Sequence, residues 1–402
     1  MSDFSQLPAE LQAHKAAGLY RSRRVIESPQ GIHLQVNGRS LLNFCSNDYL
    51  GLANHPEVVA AFKKAVDDYG VGSGSAHLIC GHSRAHHALE EELADFTGRD
   101  KVLLFSTGYM ANLGVISALV GRGDAVYEDR LNHASLLDGG LSSGARFKRY
   151  RHADVAHLDS QLHGPWGRSL IVTDGVFSMD GDFAPLPELA ALAKAKKAWL
   201  MVDDAHGLGV LGHKGGGLVA HYGLTQQHVP VLMGTLGKGF GTFGAFIAGS
   251  ETLIETLIQK ARSYIFTTAL PPAVAEATRA SLKRVIADDW RRERLKSLAS
   301  RFRTGAEQLG LECVQTTVAT EASEPLWSAI QPIIIGDSQQ TVTISERLLA
   351  AGFLVSAIRP PTVPKGSARL RVTLSALHEE QQVDQLLTAL EKAMLSLTSA
   401  SD

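Results

Sequence analysis

The residue best placed to act as a nucleophile in this chain is Lys238. It stands in Gly234-Thr-Leu-Gly-Lys-Gly-Phe-Gly-Thr-Phe-Gly244, one lysine among five glycines directly after an apolar run. An amine attacks a carbonyl only when it is neutral, so it needs a depressed pKa and open space. Glycines let a bulky planar group approach the backbone closely. The competing interpretation is a flexible surface loop around a solvated lysine. A phosphate-binding P-loop is excluded: five positions before Gly237 stands Leu232, and Gly239 replaces the hydroxyl residue that would hold magnesium.

A second signal is Ala198-Trp-Leu-Met-Val-Asp-Asp-Ala-His206, an apolar run that ends in two acids and a histidine. Carboxylates at the carboxyl end of a buried strand sit where α/β sheets bind ligands. One acid here can keep a heteroaromatic ring nitrogen protonated; the other is expected to cap the next turn. In an extended chain Asp203 and His206 point to opposite faces, so both can reach one site only if the chain turns right after Asp204. The following Gly207-Leu-Gly-Val-Leu-Gly212 fits a dinucleotide fingerprint. That fingerprint needs a helix next, and His213-Lys-Gly-Gly-Gly opens one poorly. An NAD-dependent oxidoreductase is therefore disfavoured.

Two weaker signals complete the set. In Phe105-Ser-Thr-Gly-Tyr-Met-Ala-Asn112, Ser106 or Thr107 can cap a helix that starts near Tyr109, and free N–H groups there suit a phosphate. In Ala368-Arg-Leu-Arg-Val-Thr-Leu374, alternation puts Arg369, Arg371 and Thr373 on one face. One of the two arginines is suited to hold a carboxylate, and the other is left to pair elsewhere. Among sixteen histidines, His133 and His206 stand out by their neighbours.

These residues need a frame. Apolar runs at Lys101–Phe105, Ala125–Tyr127, Ser169–Thr173, Trp199–Val202, Val231–Met233 and Ala245–Ala248 alternate with helical patterns at His86–Thr97, Tyr109–Val120 and Leu186–Lys196. That alternation predicts an α/β fold, a mostly parallel sheet flanked by helices. Residues 8–24 read as an amphipathic helix ending in Arg21, Arg23 and Arg24, followed by short strands near Ile32–Val36 and Leu41–Phe44 and a helix over Pro56–Tyr69. After about residue 285 the texture changes to a charged helix (Asp288–Leu309), strands at Ala329–Ile335, Leu354–Ile358 and Ala368–Leu374, and helices at Gln339–Ala351 and Glu379–Leu397. The expected division is an N-terminal helix and arm (1–50), a large domain (51–285) and a smaller α+β C-terminal domain (286–402). The last four residues read as a frayed end.

With 39 basic and 41 acidic residues the net charge is -2, which gives no general attraction to nucleic acid or an anionic membrane. Cys45, Cys80 and Cys313 are odd in number and far apart, so buried free thiols are expected rather than disulfides or a cysteine zinc cluster. The chain shows neither a signal peptide nor a run of about 18 apolar residues. A cytoplasmic location is expected.

Taken together, the motifs identify the chain as resembling the α-oxoamine synthases, pyridoxal 5'-phosphate (PLP) enzymes of fold type I. The resemblance covers residues 15–395 and rests on Asn43-Phe-Cys-Ser-Asn-Asp-Tyr-Leu-Gly51, Gly72-Ser-Gly, Leu89-Glu-Glu-Glu-Leu93, Asn132-His-Ala-Ser135, Gly175-Val-Phe-Ser-Met-Asp-Gly-Asp182, Asp203-Asp-Ala-His-Gly207 and Thr235-Leu-Gly-Lys238. It implies that Lys238 carries PLP and transfers protons, that Asp203 pairs with the pyridine nitrogen, and that His206 and Ser178 contact the ring hydroxyl. His133 would stack on the ring. Gly108, Tyr109 and Thr235 would lie near the phosphate, and Thr267 or Thr268 would reach the phosphate of a partner subunit in a homodimer with interfacial sites. Asn47 and Arg371 would bind the amino-acid carboxylate, and Arg21 and Thr362 the acyl substrate. No metal is implied. Lys238-Gly-Phe-Gly241 and Ala357-Ile-Arg-Pro-Pro-Thr-Val-Pro364 point to the member that condenses L-alanine with a pimeloyl thioester, on coenzyme A or acyl carrier protein, for biotin biosynthesis. Glycine C-acetyltransferase, 5-aminolevulinate synthase and serine palmitoyltransferase share that chemistry and are the near alternatives. His77 departs from the small residue expected there.

Overall fold

The computed structural model describes residues 4–17, 19–314 and 326–398. The terminal residues read as frayed fall outside that range. Among the described residues thirteen strands form three sheets. Strands β1 (His33–Val36) and β2 (Arg39–Asn43) are a hairpin joined by β11 (Phe353–Leu354). The main sheet contains β3 (Lys101–Phe105), β4 (Ala125–Asp129), β5 (Arg146–Tyr150), β6 (Ser169–Asp174), β7 (Trp199–Asp203), β8 (Val231–Thr235) and β9 (Ala245–Gly249), in the order β3-β9-β8-β7-β6-β4-β5. Only β9 runs against the others. A small antiparallel sheet, β10 (Ile330–Gly336), β13 (Ala368–Thr373) and β12 (Ser356–Ile358), forms the C-terminal unit.

Period-2 alternation explains why the main strands are apolar throughout. On β3, Val102 and Leu104 join one core, while Leu103 and Phe105 join the other. On β7, Leu200 and Val202 face the first core and Met201 the second. A sheet buried on both faces needs helices on both, and this one has them. The helices Pro56–Tyr69 and Leu186–Ala195 and the helix Gly108–Leu119 lie where the pattern puts them, to within a residue or so.

The structure departs from the sequence expectations in four places. The first helix covers only Leu7–Ala16 and buries no residue, so 8–24 is not an amphipathic helix docked on a core. The run Leu354–Ile358 breaks at Val355 into β11 and β12, which belong to different sheets. The helix Pro272–Ala287 and strand β5 were missed, the latter because Arg146, Lys148 and Arg149 hide its pattern. Finally, none of the three free thiols is fully buried, and Cys80 is exposed. Among the described residues no helix is long and apolar enough to cross a membrane.

The parallel strands deliver their carboxyl ends to one edge, where Asp174 and Asp203 are direct neighbours across β6 and β7. The lysine loop follows β8 and is folded tightly. The Gly241 N–H donates to the Lys238 carbonyl at 2.8 Å, and that of Thr242 to Leu236 at 2.8 Å. Gly241 has φ +65°, and a Cβ there would lie 2.4 Å from the Ala53 nitrogen. Gly241→Ala should therefore destabilise the fold by at least about 2 kcal/mol, since it combines backbone strain with a backbone clash. A thermal melt checks this; an unchanged midpoint would contradict the described packing.

Candidate active site

The chain turns immediately after Asp204, as the site requires. The N–H groups of Gly207 and Leu208 both donate to the Asp204 carbonyl, at 3.1 and 3.0 Å. That turn brings His206 round to the side of Lys238, whose Nζ lies 2.8 Å from His206 Nε2. The other ring nitrogen, Nδ1, lies 2.7 Å from the Tyr49 hydroxyl, and that hydroxyl donates to Asn47 Oδ1 at 3.2 Å. One proton arrangement satisfies the whole line. Lys238 donates to Nε2, Nδ1–H donates to Tyr49, and Tyr49 donates to Asn47. His206 must be neutral for this, and burial together with the Lys238 charge pushes its pKa well below the usual range. Tyr49 is fully buried, and burial raises its pKa too.

Lys238 carries the chemical signal expected of it. Desolvation lowers its pKa to about 8, against the opposing pull of Asp203 and then Asp174. The two aspartates are unequal. Burial, and next the Asp203 charge, push Asp174 well above the carboxylate range. Asp174 accepts the His133 N–H at 2.6 Å. Asp203 has donors on both oxygens, Asn112 Nδ2 at 2.7 Å on one and the Ala205 N–H at 3.1 Å on the other. Asp203, through the Ala205 N–H, caps the turn that follows, while Asp204 points inward and accepts the distant Leu218 N–H at 2.7 Å, and burial raises its pKa to about 8.

The remaining candidates fall into three groups. His133 caps the helix Ala134–Ser142, holds Ser135 Oγ at 2.7 Å from Nδ1, and has its ring edge-on to Tyr109, centroids 6.5 Å apart. Thr107, rather than Ser106, caps the helix Gly108–Leu119 through the Met110 N–H at 3.2 Å. The first N–H groups of that helix, on Gly108 and Tyr109, have no intrahelical acceptor and suit an anion. Tyr109 also bonds Asp138. Thr235 Oγ1 donates to the Gly244 carbonyl at 3.2 Å and so closes the lysine loop.

The two arginines on β13 separate cleanly. Arg369 is ion-paired with Asp180. Arg371 donates through Nε to the Ser178 carbonyl at 2.6 Å, and both terminal nitrogens lie 3.3 Å from Asn47 Oδ1. Arg371 thus joins the line that ends at Lys238, and Arg369 does not. Arg21 and Thr362 are brought together elsewhere, in a cavity of about 630 Å³ that also has Tyr20, Arg24, Arg359 and Ser356 in its wall. Ser356 is the direct strand neighbour of Arg371, so the cavity adjoins the site. Thr268 is exposed, bridged to Ala76, and its carbonyl accepts from Ser106 Oγ at 3.4 Å.

Asp174, at the end of β6, was not singled out from the sequence, and neither were Asn112, which braces Asp203, and Tyr49, which orients His206. Asn112 and Tyr49 lie inside quoted motifs, yet a buried amide or phenol looks like ordinary packing until the fold supplies its partner. The dinucleotide fingerprint fails structurally. After Gly212 come a three-residue 3-10 turn with Lys214 at φ 52° and a five-residue helix, Gly217–His221.

The site suits a planar, phosphorylated aldehyde with a basic ring nitrogen. An amine with a lowered pKa, a hydrogen-bonded carboxylate and an open helix start are grouped as such a cofactor needs. The family model of class I and II aminotransferases matches residues 39–390. The chain is 61% identical over 390 residues to the 8-amino-7-oxononanoate synthase of Thioalkalivibrio sulfidiphilus, covering 96% of this chain and 97% of that one. It is 62% identical over 386 residues to the protein of the same name from Nitrosococcus oceani, covering 96% and 100%. Among solved structures, one described as SPT with PLP internal aldimine superposes with a TM-score of 0.90 at 33% identity, covering 98% of each chain.

Two outcomes are expected here. Asn112→Ala leaves one Asp203 oxygen without its donor, at a cost of about 1–3 kcal/mol, and should speed cofactor loss by ~10-fold or more. Dialysis followed by absorbance measures it. The rate at which the cofactor-free protein takes up PLP should rise with pH, because only the neutral Lys238 amine reacts, with a midpoint near the lowered value of about 8. A midpoint near ~10.4, the ordinary lysine value, would contradict the environment described.

Proposed function

The chain belongs to the class I and II aminotransferase family and, within it, to the 8-amino-7-oxononanoate synthases, and from that premise we propose that it condenses L-alanine with a pimeloyl thioester. The products are 8-amino-7-oxononanoate, CO2 and the free thiol. The observation that carries this reading is the line Arg371–Asn47–Tyr49–His206–Lys238, which sets a carboxylate fork beside an amine of lowered pKa. PLP supplies, when bound, an electron sink for a carbanion at the amino-acid α-carbon. Asp203 would hold the pyridine nitrogen in its protonated form. His133 would offer a ring face beside Asp203, and Ser178 and His206 would hold the ring hydroxyl. The Gly108 and Tyr109 N–H groups and Thr235 would hold the phosphate.

Arg371 and Asn47 bind the alanine carboxylate, which fixes the α-carbon relative to Lys238. Lys238 would remove the α-proton of the bound alanine and later return one. Its lowered pKa keeps it near the operating pH, where a general base works best. His206 cannot compete for that proton, because burial holds it neutral. The acyl chain enters over Arg21 and Thr362. Lys15, Arg21, Arg24 and Arg359 make that cavity cationic, which suits an anionic carrier, either coenzyme A or acyl carrier protein.

The protein acts as a cytoplasmic homodimer in this account, with Thr268 (or Thr267 beside it) completing the phosphate site of the partner subunit. Its exposure in one chain supports that assignment. The arm (1–50), large domain (51–285) and small domain (286–402) then meet around the site, Asn47 coming from the first, Lys238 from the second and Arg371 from the third.

Lys238→Ala should abolish turnover and the absorbance near ~420 nm of the lysine-bound cofactor; retention of full activity ends the proposal. Arg371→Ala should raise the KM for alanine by about 10-fold or more, the loss of a charged hydrogen-bonding partner. Arg369→Ala should leave that KM unchanged and lower the melting temperature instead, because Asp180 loses its ion pair.

A further inference from the structure

Away from the active site, four histidines and a buried acid gather at the start of the helix Arg84–Thr97. His77 stacks on Tyr264, with centroids 5.0 Å apart, and its Nδ1 lies 3.0 Å from His82 Nδ1. His86 is committed to structure: Nδ1 receives the Ser83 N–H at 3.0 Å and Nε2 donates to the Leu270 carbonyl at 2.6 Å. His82, His87 and Glu90 are different. One ligand atom from each falls within 4.8 Å of the others. His82 Nε2 lies 3.9 Å from Glu90 Oε2, and His87 Nε2 lies 3.4 Å from Glu91 Oε1.

We propose that His82, His87 and Glu90 form a binding site for a divalent transition cation of the zinc or nickel class. His87 and Glu90 are three apart on a helix and so project from the same face. His82 reaches in from the turn before it. Two imidazoles and a carboxylate are a donor set these cations take, with a fourth position left open for water or Glu91. In a tetrahedral site the ligand atoms lie about 3.4 Å apart, so rotation of the half-exposed His87 closes the gap. His77 holds the ring of His82. With the proton on His82 Nδ1 directed at His77, the Nε2 lone pair faces Glu90, the arrangement that orients a metal-binding histidine.

Two further observations point to a cation. Glu90 accepts the Leu104 N–H on Oε1 at 3.1 Å, which leaves Oε2 turned toward His82. The triad also opens on a cavity of about 470 Å³, whose wall includes Glu91, Asp100 and Glu255 against the single cation Lys101. Lys101 is itself paired with Glu251 and Glu255.

The test is calorimetric titration of the untagged holoenzyme with zinc chloride, beside His82→Ala, His87→Ala and, as a control, His14→Ala. The expected result is one zinc per chain with micromolar or tighter affinity, weakened at least 10-fold in His82→Ala and in His87→Ala and unchanged in His14→Ala. Zinc should also raise the melting temperature of the wild type and not of His87→Ala, whose half-exposed side chain can be removed without disturbing the core. Absence of micromolar binding, or an affinity unchanged in either triad variant, overturns the proposal.

Discussion

Everything in this structure turns on easing the proton off one amine in the company of charge. Lys238 loses solvation by being enclosed, which favours the free base, while Asp203 and Asp174 pull it back toward the ammonium form. The balance lowers its pKa to about 8, against an ordinary value of ~10.4. A parallel sheet suits this balance. Its strands end on one edge, so β6, β7 and β8 bring Asp174, Asp203 and the lysine loop to the same place without long connections. The helix after β3 adds its positive end there.

Around that amine the hydrogen bonds converge on one amide oxygen. Lys238 donates to His206, His206 to Tyr49 and Tyr49 to Asn47 Oδ1, which also accepts from Arg371. The segment from Phe44 to Ala53 therefore ties the two main parts of the chain together. Its backbone accepts from Thr373 and Ala376, near the end of β13, and Asp48 accepts the N–H groups of Leu52 and Ala53 within it. Arg371 and the reactive lysine are thereby linked by a single connected set of hydrogen-bonded side chains.

Much of this was legible in the sequence, for identifiable reasons. Buried strands are continuous apolar runs, so β3 and β7 could be read almost to the residue. Lys238 and Asp203 announced themselves because a lysine among glycines and acids after an apolar run are hard to explain by packing. What stayed hidden depended on contacts across long sequence separations. Alternation placed Arg369 and Arg371 on one face but could not say that Asp180 takes the first and Asn47 the second. The partners of Asn112 and Tyr49 were invisible for the same reason, and the unburied first helix shows that a periodic pattern does not guarantee a surface to pack against.

The most direct measurement is free-thiol release by the purified holoenzyme given pimeloyl-CoA with L-alanine, and then with glycine. The account predicts thiol release with alanine, little with glycine, and formation of 8-amino-7-oxononanoate in equal amount. Thiol release only with glycine and a short acyl-CoA, or none with any pair, would contradict it.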